Sequence, residues 1–111
     1  MAARLSIVRD PEREWRETDP NWPGKAKPGE PGLSYKSLMD QPNLKRVRYE
    51  PGHFEPPHSH DEDEILYLLD GVIEFGDQTI GKGDSVFVPR NTRYSLRAGR
   101  EGAEFVRVGF R

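Results

Sequence analysis

The chain contains no cysteine. Disulfides, thiolate metal ligands and a cysteine nucleophile are therefore excluded. No apolar run approaches the roughly 20 residues needed to span a bilayer. The opening MAARLSIVRD lacks the long apolar stretch of a secretory signal, so the expectation is a cytoplasmic protein with no membrane partner. Net charge is only −2, with acids and bases interspersed, and nucleic acid is not an expected partner. No segment sustains an apolar period of 3.6 residues, although Glu12 to Glu17 (EREWRE) can form one short helical turn. A phosphate-binding GxxxxGK[ST] loop, a GxGxxG ahead of a helix, a Gly-x-Ser-x-Gly elbow and an internal repeat are all missing.

The 111 residues are enough for one domain. Hydrophobic residues make up 33% and charged residues 32%, so the core must be lean, and the leanness is local. Arg9 to Gly32 has almost no aliphatic side chains, and Pro11, Pro20, Pro23, Pro28 and Pro31 oppose helix and central strand there. Residues 1–32 thus read as an extended arm, with a possible short strand from Leu5 to Val8. Trp15 and Trp22 are its large apolar groups, suited to pinning it to the body or to a partner subunit.

From Leu33 to Arg111 short alternating runs recur between turn residues: LSYKSLMD, LKRVRYE, HFEPPHSH, EILYLLD, VIEF, QTI, SVFV, RYSLR and EFVRVGF. Gly71, Gly76–Asp77 and the AGREG stretch read as breaks between strands. Many short strands with Gly and Pro as punctuation indicate an all-β antiparallel sandwich or barrel over residues 33–111.

The chemistry concentrates in EPPHSHDEDEILYLLDG, Glu55 to Gly71. Side chains two apart on a strand share a face, so His58 and His60 project together. Two neutral imidazoles can bind one metal ion, and Glu64, opening the next strand, is phased to add a carboxylate. Leu66 and Leu68 share its parity and should line the same interior. Ile65, Tyr67 and Leu69 face the other way yet are apolar, so this outer face should be covered by the arm or by another subunit. Asp61, Glu62 and Asp63 read as a solvated turn. His53 lies at an odd offset from His58, which on a regular strand turns it away, giving a surface or outer-shell imidazole. Arg90, Arg93, Arg97, Arg100, Arg107 and Arg111 make the C-terminal part locally basic, either as an exposed strand face or as a patch for anionic substrates.

These residues resemble the cupins, whose first motif runs Gly, five residues, His-x-His, three or four residues, Glu, six residues, Gly. Gly52, His58, His60, Glu64 and Gly71 match it at every spacing. In the second motif Gly83 and Pro89 match, while Asn91 stands for the second Gly, Tyr94 for the His and Ala98 for the Asn. Asn tolerates the left-handed backbone required of that Gly. The resemblance implies a cupin (jelly-roll) barrel, a homodimer, which the doubly apolar strand also suggests, and a divalent ion held by His58, His60 and Glu64, with Tyr94 at the place of a fourth ligand. Three roles stand open for Tyr94: phenolate ligand, hydrogen-bond donor or acid/base toward substrate or bound water, and filler of the barrel. Two His and one Glu with open positions suit Fe(II) and oxygen chemistry, or Zn(II) as a Lewis acid; Mn(II), Ni(II) and Co(II) also fit. The expected function is a metal-dependent enzyme on a small organic molecule, of dioxygenase or isomerase/lyase type, with a non-catalytic sensor or carrier as the alternative. The pocket is expected inside the barrel, walled by Leu, Phe, Val and Tyr.

Overall fold

The structure, a computed structural model, describes residues 6–17, 32–40 and 42–111. It is built almost wholly of antiparallel strands: β1 Arg16–Glu17, β2 Leu33–Met39, β3 Asn43–Tyr49, β4 Phe54–His58, β5 Asp63–Phe75, β6 Gln78–Gly81, β7 Ser85–Val88 and β8 Tyr94–Phe110. Strand order runs β1-β2-β3-β8-β5-β6, with β4 added on β8 and β7 on β5. This is the all-β antiparallel architecture that the turn pattern implies. No helix among the described residues is long and apolar enough to cross a membrane.

Two strands are longer than the sequence suggests. EILYLLD and VIEF join into β5, and RYSLR and EFVRVGF join into β8, running through Gly71 and Gly102. Both glycines hold positive φ, 78° and 77°. A Cβ on Gly71 would lie 2.1 Å from the Gly102 carbonyl oxygen, and one on Gly102 would lie 2.5 Å from that of Tyr49. The register of β5 on β8 shifts beside Gly71. The glycines are therefore bends within strands rather than ends of strands, as expected where a sheet turns a tight corner. β5 and β8 pair along both arms of the bend and tie the two layers together. The two-residue turn at Gly76–Asp77 closes β5 on β6, with Phe75 opposite Gln78.

Strand alternation places Leu33, Val47, Tyr49, Leu66, Leu68, Ile73, Leu96, Ala98, Ala103 and Phe105 inside. Tyr49 and Phe105 meet edge to face at 5.0 Å, a favoured aromatic geometry. Ile65, Tyr67, Phe87 and Phe110 point outward and stay exposed, Phe87 at 57%. Residues 6–17 do not cover them. They pack elsewhere, along β2 and β3.

Ser6 to Arg9 form no strand, and Leu5 lies outside the described residues. The short turn falls on Asp10–Glu12 with Pro11 in its first positions, while Arg16–Glu17 pair with β2 instead of turning. Proline supplies the pre-set φ that such a turn needs. Asp10 binds Lys36 at 2.7 Å and Arg46 at 3.0 Å, and the half-buried Trp15 ring lies 4.0 Å under the Arg48 guanidinium. This stretch is thus pinned by charge and cation–π contacts. Trp22 lies outside the described residues.

Hydrogen bonds from Lys36 and then Arg46 hold the Asp10 carboxyl below the usual range. A lowered folded pKa means that this tether is intact above the unfolded carboxylate value, about 3.9, and is lost as pH falls through the lower folded value. In a Trp22→Phe variant, Trp15 fluorescence should therefore hold steady from pH 7 to about 4.5 and change only below about 3.9. A transition centred well above that value would show that Asp10 does not carry the tether.

Candidate metal centre

Pro56 and Pro57 interrupt the alternation of β4, and its register on β8 shifts between Glu55 and His58. Across the irregularity Glu55 and His58 both turn inward, although they are three positions apart. His53, two before Glu55, shares its inward parity and is buried at 1% exposure. The parity argument that sends His53 to the surface fails because it assumes a regular strand, which two consecutive prolines deny.

His58 Nδ1 stands 2.7 Å from the Pro56 carbonyl oxygen. A carbonyl only accepts, so Nδ1 carries a proton; in the neutral ring Nε2 then carries the lone pair. That Nε2 is buried without a hydrogen-bond partner among the described residues and lies 3.5 Å from Glu55 Oε2. His60 follows on the loop, its ring centroid 4.9 Å from that of His58 and its side chain 29% exposed. Burial, only partly offset by the neighbouring Glu64 charge, lowers the His60 imidazole below its ordinary value and keeps it neutral near pH 7.

Glu64 opens β5 with its side chain 2% exposed. Tyr94 donates its hydroxyl to Oε1 at 2.7 Å, and Arg107 Nε donates to Oε2 at 2.5 Å. Glu64 Oε1 also lies 3.9 Å from His60 Nε2. Burial first, and then the Glu64 charge, raises the Tyr94 hydroxyl far above an ordinary phenol, so it stays protonated. The phenolate role would require it to lose that proton. Its observed bond is to Glu64 itself, a partner outside the three roles considered from sequence.

A second buried carboxylate, Glu55, accepts the Tyr49 hydroxyl at 2.8 Å and has His53 Nε2 3.6 Å away. The structure thus gathers His58, His60, Glu64 and Tyr94, as the sequence predicts, and adds Glu55, His53, Tyr49 and Arg107. Arg107 alternates with Phe105 on the inward face of β8, so it leaves the surface basic group in which its neighbours remain. Among the described residues, no three His, Asp or Glu side chains already converge as a metal cage. The donors stand instead as two imidazole–carboxylate pairs side by side.

The acidic turn is also more structured than a solvated loop. The Arg90 backbone N–H and side chain bind Asp63, and Glu62 lies 3.3 Å from Arg107; only Asp61, with Arg111, is a surface pair. Asn91 holds φ 60°, the left-handed backbone expected there, and its N–H binds the His60 carbonyl at 2.7 Å. The β7–β8 loop therefore fixes the imidazole loop. A surface cleft is lined by Tyr49 together with Leu33, Arg48, Gly71 and Ala103.

A family model described as a cupin domain matches residues 45–108, more than half of the chain. No curated protein matches. Among solved structures, KdgF from Halomonas sp. superposes with a TM-score of 0.72 at 20% identity, covering 96% of this chain and 95% of that one. A predicted oxalate decarboxylase from Thermotoga maritima gives 0.72 at 22% identity, covering 95% and 98%. The protein described as FeII HppE gives 0.69 at 19% identity, covering 96% of this chain and 60% of that one. These likenesses show a shared fold.

Removing one member of a buried ion pair leaves an uncompensated charge and costs about 3–5 kcal/mol. Arg107→Ala should lower the urea-unfolding free energy by about that amount. A loss within about 0.5 kcal/mol, the range of an ordinary surface change, would show that Glu64 is balanced by another group.

Proposed function

The chain belongs to the cupin family, and we propose that it is a metal-binding cupin acting on a small organic molecule, as a dioxygenase or as an isomerase or lyase. The observation that carries this reading is His58: a buried imidazole held at Nδ1 by the Pro56 carbonyl, whose Nε2 has no hydrogen-bond partner among the described residues. A buried polar atom left in that state is costly, and a metal ion satisfies it.

The surrounding donors fit a divalent ion. His60 is held neutral, and hard carboxylates lie within 4 Å of both imidazoles. Glu55, Glu62 and Glu64 bring three formal negative charges and Arg107 one positive, so a doubly charged cation neutralises the cluster. Fe(II), Mn(II), Co(II), Ni(II) and Zn(II) all suit two nitrogens and a carboxylate. A bound ion supplies a Lewis acid and an open position for substrate or dioxygen. The Fe(II) named for HppE supports an iron ion in a barrel of this fold. Tyr94 keeps a proton beside Glu64, and the partly exposed His60 marks the side from which a small molecule reaches the site.

A second reading, a non-catalytic sensor or carrier, is favoured by Tyr94, a protonated donor to Glu64, at the place of the fourth ligand. Metal analysis followed by Fe(II) loading under argon separates the two. Substrate-dependent oxygen uptake supports the enzyme, and tight ligand binding without turnover supports the carrier. His58→Ala should keep the fold by circular dichroism and lose the ion; full metal occupancy in that variant would sink the proposal.

The partner we propose is a second copy of the chain, in a cytoplasmic homodimer. Ile65, Tyr67, Phe87 and Phe110 present aromatic and aliphatic surface on one outward face. Such patches mark association sites. Sedimentation should give twice the monomer mass, and Phe87→Glu should give the monomer; a monomeric wild type at high micromolar concentration would overturn this.

A further inference from the structure

The edge of a sheet presents a row of unpaired backbone N–H and C=O groups, and folded proteins shorten, blunt or cover such rows. Among the described residues the strands with one neighbour only are β1, β4, β6 and β7. β1 is cut short at Arg16–Glu17. β4 carries Pro56 and Pro57, which have no N–H to donate. The end of β6 is closed by Asp84, whose N–H donates to the Gly81 carbonyl at 2.9 Å and whose Oδ2 accepts the Gly81 N–H at 2.8 Å.

β7 has none of these devices. Its sequence, SVFV, holds no charge and no proline. The ladder shows which of its backbone groups are open. Leu68 N donates to the Asp84 carbonyl at 2.9 Å, and the register continues with Leu66 opposite Val86 and Glu64 opposite Val88. Hydrogen-bonded pairs alternate along an antiparallel ladder, so Val86 and Val88 spend their backbone groups on β5. Those of Ser85 and Phe87 point the other way, and both residues are exposed.

We propose that a second copy of the chain adds to this edge, antiparallel and about a two-fold axis at Val86. Ser85 of each copy then exchanges backbone hydrogen bonds with Phe87 of the other. The inference rests on the homodimer reading above and names the surface that forms it.

The strand is complementary to itself. Pairing about Val86 satisfies both open residues of each copy and leaves neither over. Asp84 precedes the strand and the exposed Arg90 follows it, so an antiparallel copy brings the acidic end of one strand toward the basic end of the other. The outward apolar row also runs up to this edge: Phe87 stands beside Ile65, Ile65 beside Val108, and Val108 beside Leu44. The two-fold joins two such rows end to end. Phe87 of one copy faces Ser85 of the other and lies diagonal to its Phe87 at about 7–8 Å, within reach of aromatic rings. Because the remaining edges are short, proline-bearing or closed, this isologous contact ends at two copies and does not propagate as a fibre.

Amide hydrogen exchange on the full chain tests this. At concentrations where sedimentation gives twice the monomer mass, the Ser85 and Phe87 amides should be protected, and dilution to the monomer should remove that protection. Val86 and Val88 should stay protected in both states. Ser85→Pro removes one outward N–H at the first residue of an edge strand, where proline is tolerated. It should keep the native circular dichroism and sediment as a monomer; if it fails to fold, the wild-type exchange decides alone. A dimer in which Ser85 and Phe87 exchange as fast as in the monomer, or a folded Ser85→Pro that stays dimeric, would overturn the edge pairing and leave the homodimer standing. A monomeric wild type would overturn both.

Discussion

A carboxylate taken out of water has to be met by a cation or by a full set of donors, and this barrel contains two such groups. Desolvating an ion costs several kcal/mol even after relaxation, more than one ordinary hydrogen bond returns. At Glu64 the demand is met by Arg107 on the neighbouring strand together with the Tyr94 hydroxyl. The neighbours of Glu55 include the His53 and His58 imidazoles and the Tyr49 hydroxyl, which donates to it. The polar interior is therefore a charge-balance problem, and the positions of His53, His58, His60 and Tyr94 make sense as parts of its solution.

The backbone that holds these groups in place depends on two bends. Because β5 and β8 each run through a glycine with positive φ, residues far apart along one strand serve both layers of the barrel. Glu64 and Arg107 sit on one arm of the paired strands, and Tyr94 on the other arm of β8 reaches back to Glu64. A side chain at Gly71 or Gly102 would collide with backbone, so the crossing that brings Tyr94 and Arg107 onto one carboxylate exists only because no Cβ is there.

Much of this was legible in the sequence, and the exceptions share a cause. Period-two alternation assigns Leu66, Leu68 and Leu96 inward and Ile65 and Tyr67 outward, because those stretches are regular strands. It misplaces His53 and passes over Glu55, since both lie just upstream of Pro56–Pro57, where the period breaks and parity counted from His58 reverses. Gly71 and the AGREG stretch were legible as irregularities but not as bends, for a glycine inside a strand and a glycine ending one look alike without the pairing partner. Arg107 was hidden by composition. In a run of basic residues near the terminus, nothing local distinguishes the one arginine that a buried carboxylate draws inward.

The tyrosine at position 94 shows how one substitution reorganises such a site. A histidine there would offer a lone pair toward the interior; a phenol held neutral by burial offers a proton instead. A donor in that place must find an acceptor, and the one within reach is Glu64. Glu64 thus accepts Tyr94 on one oxygen and Arg107 on the other, while Glu55 lies 3.5 Å from His58 Nε2. The change from acceptor to donor at one inward position thus ties Glu64 to both arms of β8, through Tyr94 on one and Arg107 on the other.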